Sequence, residues 1–334
     1  MNYNYFVGID VSKLSFDAAV IAKADTQTIV HKAFNNTTEG INELMTFLND
    51  SFPGFTIQQT LFCMEATGIY CTPLLDFLQQ NNAHVWVENS VRIKRSQGIA
   101  RGKNDTIDAK RIADYALRNT DKARLWNPSS HTLEQIKHLA ALRDRMVITQ
   151  KRLLSPINEF KDMGQQQMAS LLEKSIKKTL AAIDQDIHKI EAQIMDCLKQ
   201  DASLHHLFNI VKSVVGIGLV TTVNLLIHTN GFTVMNDGRK LACYCGVAPF
   251  PYQSGTSIKG KTRVHHMANK KLKTNLHMAS LTAVKLDPEL KHYYERKVAE
   301  GKSKMSVLNA VKCKLLTRVV ACVNNNREYV KKSA

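Results

Sequence analysis

Four acidic residues stand where a nuclease would need metal ligands: Asp10 closes the first apolar run, Glu65 closes a later one, and Asp105 and Asp108 open a helix. Carboxylates at strand ends can offer oxygens to a divalent cation, and a pair spaced i, i+3 lies on one helical face where both reach the same ion. Two Mg2+ ions about 4 Å apart, held this way, can activate a hydroxyl and stabilise the oxygen leaving phosphorus in an in-line displacement. Taken singly, each acid has a plainer use: Asp105 can cap a helix and Asp10 can start a turn. The surroundings favour the chemical reading, because the chain carries 45 Lys+Arg against 29 Asp+Glu, a net charge of +16. That balance calls for a polyanionic partner, nucleic acid foremost, although a basic membrane-surface protein would show the same total.

The elements that must position these acids come from the first 125 residues, which read as one α/β domain. Residues 5–10 form a buried strand, and 16–20 and 28–34 form two more after turn-length gaps, an antiparallel meander. Asn36 then caps a helix with Glu39 in its first turn and Ile41, Leu44, Phe47 and Leu48 on one face. A strand over 61–65, a helix carrying Leu74, Phe77 and Leu78, a strand over 84–88 and a further helix complete the run. Three antiparallel strands followed by helix, strand, helix, strand, helix is the element order of the RNase H fold. There the first and fourth strands are neighbours, which brings Asp10 towards Glu65, and the last helix adds Asp105 and Asp108. Val7-Gly8-Ile9-Asp10-Val11-Ser12-Lys13 also resembles the phosphate loop of sugar kinases and actin-like ATPases. Those proteins need a second such core and a glycine-rich adenosine loop, which the remaining residues do not supply.

Residues 126–200 read as a coiled-coil helical hairpin. Leu139, Leu142, Met146 and Leu153 keep a seven-residue rhythm, and after a break at 164–167 it returns in Leu180, Ile183, Ile187, Ile190 and Ile194. Such a stripe serves an intramolecular hairpin or a second subunit equally well.

Residues 201–334 form a third, mainly α-helical domain. Val214-Val215-Gly216-Ile217-Gly218-Leu219 resembles a helix-hairpin-helix turn, where Gly216 and Gly218 would let backbone N–H groups hold a phosphate. A plain helix connector would need no ligand. Gly255 to Thr262 matches the P-loop expression letter for letter, yet residues 249–253, with two prolines, break the strand a P-loop must follow. The same segment offers Ser254, Thr256 and Ser257 among Lys259, Lys261, Arg263, Lys270, Lys271 and Lys273, a ring of cations suited to a phosphate under attack. A serine is a weak nucleophile without a base or metal, so composition alone supports only a basic loop touching DNA backbone. The seven scattered cysteines suit a reducing compartment, and Cys243 and Cys245 with His265 and His266 read as ordinary residues rather than a zinc site. No apolar stretch approaches a membrane span and the start lacks a signal-peptide pattern, so no membrane partner and a cytoplasmic, nucleoid-associated location are expected.

Gly8-Ile9-Asp10, Glu65-Ala66-Thr67-Gly68, Asp105-Thr106-Ile107-Asp108-Ala109, Gly216-Ile217-Gly218 and Phe250-Pro251-Tyr252-Gln253-Ser254-Gly255-Thr256-Ser257 together resemble the DEDD transposases of the insertion-sequence 110 family, related to the Piv invertase. The resemblance covers nearly the whole chain. It implies an N-terminal domain like a Holliday-junction resolvase, a coiled-coil middle and a C-terminal transposase domain with a serine nucleophile. The acid quartet maps to Asp10, Glu65, Asp105 and Asp108, and the match selects Ser254 as nucleophile. It further implies Mg2+ as cofactor, a covalent phosphoserine link to DNA, and homodimers assembling to tetramers with active sites completed between subunits. A noncoding bridge RNA pairing with donor and target DNA is implied as well. The residues themselves carry no RNA-specific module: aromatics are 7% and no stacking signature is present. The expectation is a DNA recombinase that moves its own insertion element. The alternatives are a metal-only junction nuclease and a nonenzymatic nucleic-acid-binding protein on a degenerate RNase H fold.

Overall fold

Apolar runs buried on both faces, punctuated by short polar turns, set up the first sheet of the computed structural model, which describes residues 2–98, 104–254 and 258–331. The chain divides into two compact units, Met1–Pro128 and Ser129–Ala334. In the first, β1 (Tyr5–Val11), β2 (Ser15–Ala22) and β3 (Asp25–Asn35) form the antiparallel meander, while β4 (Thr60–Glu65) and β5 (His84–Glu88) join parallel on the other side of β1. The strand order β3-β2-β1-β4-β5 places the first and fourth strands side by side, as the RNase H-like reading requires.

Side chains alternate across the sheet with period two. Val7, Ile9, Phe62 and Met64 share one core with Leu44 and Leu48 of α1 (Thr38–Ser51) and Leu74 and Leu78 of α2 (Thr72–Gln80). Phe6, Leu61, Cys63 and Trp86 share the other with Ile93 of α3 (Ser90–Ser96) and Ala109, Ile112 and Ala113 of α4 (Asp105–Arg118).

Two caps differ from expectation. α1 is capped by Thr37, whose Oγ1 accepts the Gly40 N–H at 3.2 Å, and not by Asn36. Asn36 instead donates its amide to the carbonyls of Ser12 and Tyr70, both at 3.0 Å, tying two loops together. At α4 the cap is Asn104, whose Oδ1 accepts the Ile107 N–H at 2.7 Å, so Asp105 becomes the first helical residue, where a negative charge suits the helix dipole.

In the second unit α5 (His131–Asp162) and α6 (Gln166–Gln200) pack side by side across a three-residue connection. Ion pairs Arg143–Glu191 at 2.6 Å and Lys161–Glu173 at 3.0 Å run from base to tip and fix the antiparallel sense. Burial concentrates at the base, where Leu133, Ile136 and Ala140 meet Ile190, Ile194 and Leu198. The seven-residue rhythm of α5 is therefore not a continuous buried seam: Leu142 is exposed, because the stripe that enters the core starts at Leu133.

Around that base lie α7 (Ala202–Lys212), α8 (Leu219–Thr229), α9 (Gly238–Tyr244), the hairpin β6 (Phe250–Ser254) and β7 (Ile258–Arg263), then α10 (Lys270–Leu286), α11 (Pro288–Ala299) and α12 (Lys304–Asn324). Residues 250–254 thus form a strand where the prolines had argued against one. Pro251 falls at a register irregularity between Phe250 and Tyr252, the kind of position where a missing N–H costs no ladder bond. The P-loop rejection holds for a different reason: Gly260-Lys261-Thr262 lies inside β7, where a phosphate loop would start a helix. Among the described residues no helix is long and apolar enough to cross a membrane.

Candidate active site

The acids of the first unit gather at the carboxyl ends of the parallel strands, the edge where open α/β sheets bind ligands. Asp10 follows Ile9, which pairs in parallel with Met64, so Asp10 and Glu65 occupy equivalent positions on adjacent strands. α4 crosses over this end because residue 8 is glycine. A Cβ there would lie 2.1 Å from the Ala113 nitrogen and 2.4 Å from the Ala109 carbonyl oxygen, so only a bare α-carbon lets helix and strand touch. One turn before Ala109 the helix begins, and Asp105 and Asp108 come with it.

The Asp10 carboxyl reports the convergence. Burial, then the charges of Asp105, Asp108, Glu65 and Asp17, push its pKa up from 3.8 to about 6. Glu65 and Asp108 line one cleft of about 250 Å³ with Lys94, Gln97 and Arg111, and Arg111 pairs with Asp108 at 3.0 Å. The donor set is all carboxylate oxygen, the chemistry of a hard divalent cation, and a cation among these groups would relieve the repulsion on Asp10. In type the residues fit Mg2+. In spacing, no three His, Cys, Asp or Glu side chains among the described residues stand close enough to form a metal-holding group. Asp108 leans on Arg111 instead.

Two further acids lie here that the sequence reading did not single out. Asp17 sits opposite Asp10 in the β1–β2 register, buried, paired with His31 Nε2 at 2.6 Å and accepting the Thr106 hydroxyl of α4 at 3.4 Å. Glu88 sits beside Glu65 in the β4–β5 register, also buried. It accepts the Asn89 N–H at 2.7 Å, and the Tyr115 hydroxyl and Arg92 at 3.4 Å each. Both are fully engaged, and their bonds tie α3 and α4 to the sheet. Their only sequence signal was position: Glu88 ends its strand as Glu65 does.

Ser254 is the last residue of β6, paired with Ile258 across the hairpin. Gly255, Thr256 and Ser257, the remainder of the proposed hydroxyl cluster, lie outside the described residues. Lys259, Lys261 and Arg263 belong to β7, and Lys270, Lys271 and Lys273 open α10. Lys271 is already ion-paired with Asp144 of α5.

The root of the hairpin is closed by the Asn269 N–H donating to the Tyr244 carbonyl at 2.8 Å. At the same place Tyr244 Oη lies 3.2 Å from His228 Nδ1, and Asn269 Nδ2 lies 3.3 Å from both His228 ring nitrogens and donates to Tyr244 Oη at 3.3 Å. Burial first, then Lys271 and Lys137, hold the His228 pKa below its usual value, which favours a neutral ring. No motif announces this trio, because its members are far apart in sequence.

Gly216 and Gly218 separate in role. Gly216 has φ +92° and a Cβ there would lie 2.6 Å from the Ala279 carbonyl oxygen, so backbone geometry and packing on α10 already require glycine. Gly218 opens α8 with free space around it and no side-chain cap.

Comparison with known proteins bears on both units. A family model described as a transposase, of the IS110 DEDD kind, matches residues 7–160, and the model "Transposase IS116/IS110/IS902 family" matches residues 208–295. The pilin gene-inverting protein of Moraxella bovis is 28% identical over 332 residues, 98% of either chain. An insertion element IS110 protein of 43.6 kDa from Streptomyces coelicolor is 31% identical over 134 residues, 40% of this chain and 32% of that one. Among solved structures, T. thermophilus RuvC in complex with a Holliday junction substrate overlaps 37% of this chain and all of its own, with a TM-score of 0.27 and 10% identity. Matched by transposase models in both of its units and by a pilin gene-inverting protein from end to end, the chain belongs to the IS110 group of the IS116/IS110/IS902 transposase family.

Proposed function

We propose that the protein is a DNA recombinase that cuts and rejoins strands of an insertion element. Ser254 is its nucleophile, and Asp10, Glu65, Asp105 and Asp108 are the residues that would hold Mg2+. The observation that carries this reading is the convergence of four acids from three elements at the ligand-binding edge of the sheet, where burial first and then the neighbouring acids raise the Asp10 pKa.

In the chemistry we infer, the Ser254 oxygen bonds to phosphorus while the bond from phosphorus to the sugar oxygen of the departing strand breaks. The serine proton passes to solvent and the departing oxygen gains one. Bound Mg2+ would supply Lewis-acid polarisation of the phosphate and charge stabilisation at the leaving oxygen. The chain's own contribution is positive charge: Lys259, Lys261 and Arg263 on the strand paired with β6, and Lys270 and Lys273 at the start of α10, neutralise backbone phosphates. Gly218, at the open N-terminus of α8, offers a backbone contact of the same kind.

The partners proposed are donor and target DNA and a noncoding bridge RNA whose base pairing chooses the sequence, leaving the protein to hold backbone and shape. The assembly proposed is a homodimer that pairs to a tetramer, with the acids of one subunit serving the serine of another. Work on DNA places the protein in the cytoplasm.

Recombination between paired donor and target plasmids tests the proposal. Ser254→Ala and Asp10→Ala should each abolish product while DNA retention persists, and a denaturation-resistant protein–DNA adduct should form with the wild type and not with Ser254→Ala. Cleavage that survives Ser254→Ala without an adduct would assign the chemistry to the acids alone.

A further inference from the structure

Lys312, in the middle of α12, is 3% exposed. Lysine is seldom buried so fully unless an acid or an acceptor meets it. Here no described residue forms a hydrogen bond or ion pair with it, and its charged neighbours are Lys273 on α10 and the thiol of Cys313. Burial, followed by the Lys273 charge, pushes the Lys312 pKa down. His277 stands one helical turn after Lys273 and completes the group. Its Nδ1 is buried with no hydrogen-bond partner, and burial and then Lys312 lower its pKa. Two ammonium groups and an orphaned imidazole nitrogen thus act on one another between α10 and α12 with no counter-charge among the described residues.

The location gives the cluster meaning. Asn309 and Cys313, flanking Lys312 on α12, donate to the Val247 carbonyl at 2.6 and 3.0 Å. The Lys273 side chain passes 3.7 Å from where a Cβ on Gly246 would stand. The cluster therefore lies under the root of the β6–β7 hairpin, beside the first turn of α10, whose dipole is positive and which carries Lys270 besides Lys273 itself, Lys271 being paired with Asp144. A packing role alone would be better served by methionine, which is one atom shorter and has no charge to desolvate.

We propose that Lys312, Lys273 and His277 form a binding subsite for one phosphodiester group of DNA at the root of the serine hairpin. A phosphate with anionic oxygens supplies the missing counter-charge, accepts from both ammonium groups and offers a partner to His277 Nδ1. Lys273 and His277 are half-buried and Lys312 is buried. The contact reads no base, so it acts on every sequence alike. The inference relies on the proposed function for the identity of the strand as DNA, and not for the presence of the anion site.

The test uses the full chain and a duplex DNA, with affinity measured across a salt series. Lys312→Met should weaken binding several-fold and reduce the salt slope by about one counterion, while Lys312→Arg keeps both near wild type. Thermal stability should move the other way, since Lys312→Met removes an uncompensated buried charge. Inorganic phosphate alone should raise the melting temperature of the wild type more than that of Lys312→Met. Unchanged DNA affinity and slope in Lys312→Met, or an equal loss in Lys312→Arg, would overturn the subsite, as would a loss confined to RNA ligands. Should Lys312→Met fail to fold, Lys273→Met and the phosphate shift of the wild type decide by the same criteria. An adduct that persists in Ser254→Ala would sink the nucleophile assignment and leave this subsite standing.

Discussion

The acids of the N-terminal unit and the serine of the C-terminal unit are held by different means. Asp10 and Glu65 are fixed by the register of adjacent strands with a core on each face, where a slip of one residue would move every buried side chain into the opposite core. Ser254 ends a two-stranded ribbon, a structure marginal on its own. That ribbon depends on its root, on the Tyr244–Asn269 backbone bond, the His228 trio, and the Asn309 and Cys313 contacts to Val247. One half of the proposed site is set by backbone geometry, the other by a handful of polar side chains. A sheet edge suits the metal ligands proposed for the acids, whose spacing must not vary, and a rooted ribbon suits the nucleophile proposed at Ser254.

The largest effect that would break this contrast is at Gly8. A methyl group added there meets backbone atoms on α4, which cannot rotate away as a side chain would, so the helix bearing Asp105 and Asp108 must lift from β1. Gly8→Ala should cost about 3 kcal/mol or more in urea unfolding and abolish recombination. Gly218→Ala, in open space at an ordinary φ of −96°, should stay within about 1 kcal/mol. Equal stability of the two variants would mean that close approach of strand and helix does not hold the acids in place.

At the hairpin root the expected effect is intermediate. Asn269→Ala removes the cap of α10, the Oδ1 acceptor for the Leu272 N–H at 2.9 Å, together with the contacts to Tyr244 and His228. A loss of about 1–2 kcal/mol follows from a cap and a part-buried hydrogen bond. Amide exchange should quicken across residues 250–254 and 258–263 and stay unchanged in β1 and β4. Asn269→Asp, which keeps the cap, should recover about half of the stability. Exchange that quickens uniformly over the whole second unit would instead mark Asn269 as a general support of the helical core.

What could be read in advance follows from the same contrast. The strands, their order and the position of the four acids at one sheet edge were legible because apolar alternation and strand-end carboxylates are local signals that survive folding unchanged. The choice of Asn36 as a cap failed since Thr can also cap, and the tertiary tie of Asn36 to Ser12 and Tyr70 leaves the cap to Thr37. Pro251 misled because a bulge admits proline, and a bulge is a property of the pair of strands. The rhythm through Leu142 misled because the stripe of α5 that enters the helical core runs through Leu133, Ile136 and Ala140, which leaves Leu142 exposed. Asp17, Glu88 and Lys312 stayed hidden for one reason: each is an ordinary charged residue until register or helix packing removes it from water.

The smallest expected effect separates a functional from a structural reading of the acids. In the folded chain the Asp10 carboxyl titrates near pH 6 against 3.8 for a free aspartate, with burial as the first cause and its acidic neighbours next. Between those values the folded state holds more protons than the unfolded one, so stability falls as pH rises from about 4 to about 6 and the cost persists above that. Taken in full the shift corresponds to about 3 kcal/mol, but Asp10 is only half-buried, and solvent screening reduces the expected cost to about 1 kcal/mol. Asp10→Asn should therefore be more stable than wild type by about that amount at pH 7.5 without divalent cations, and the gap should close below pH 4 in urea titrations. Added Mg2+ should stabilise the wild type and leave Asp10→Asn nearly unmoved, since an ion that binds only the folded acids shifts the equilibrium by mass action. A variant that is less stable than wild type at neutral pH would make Asp10 a structural residue like Asp17 and Glu88, whose acids are already matched by protein partners.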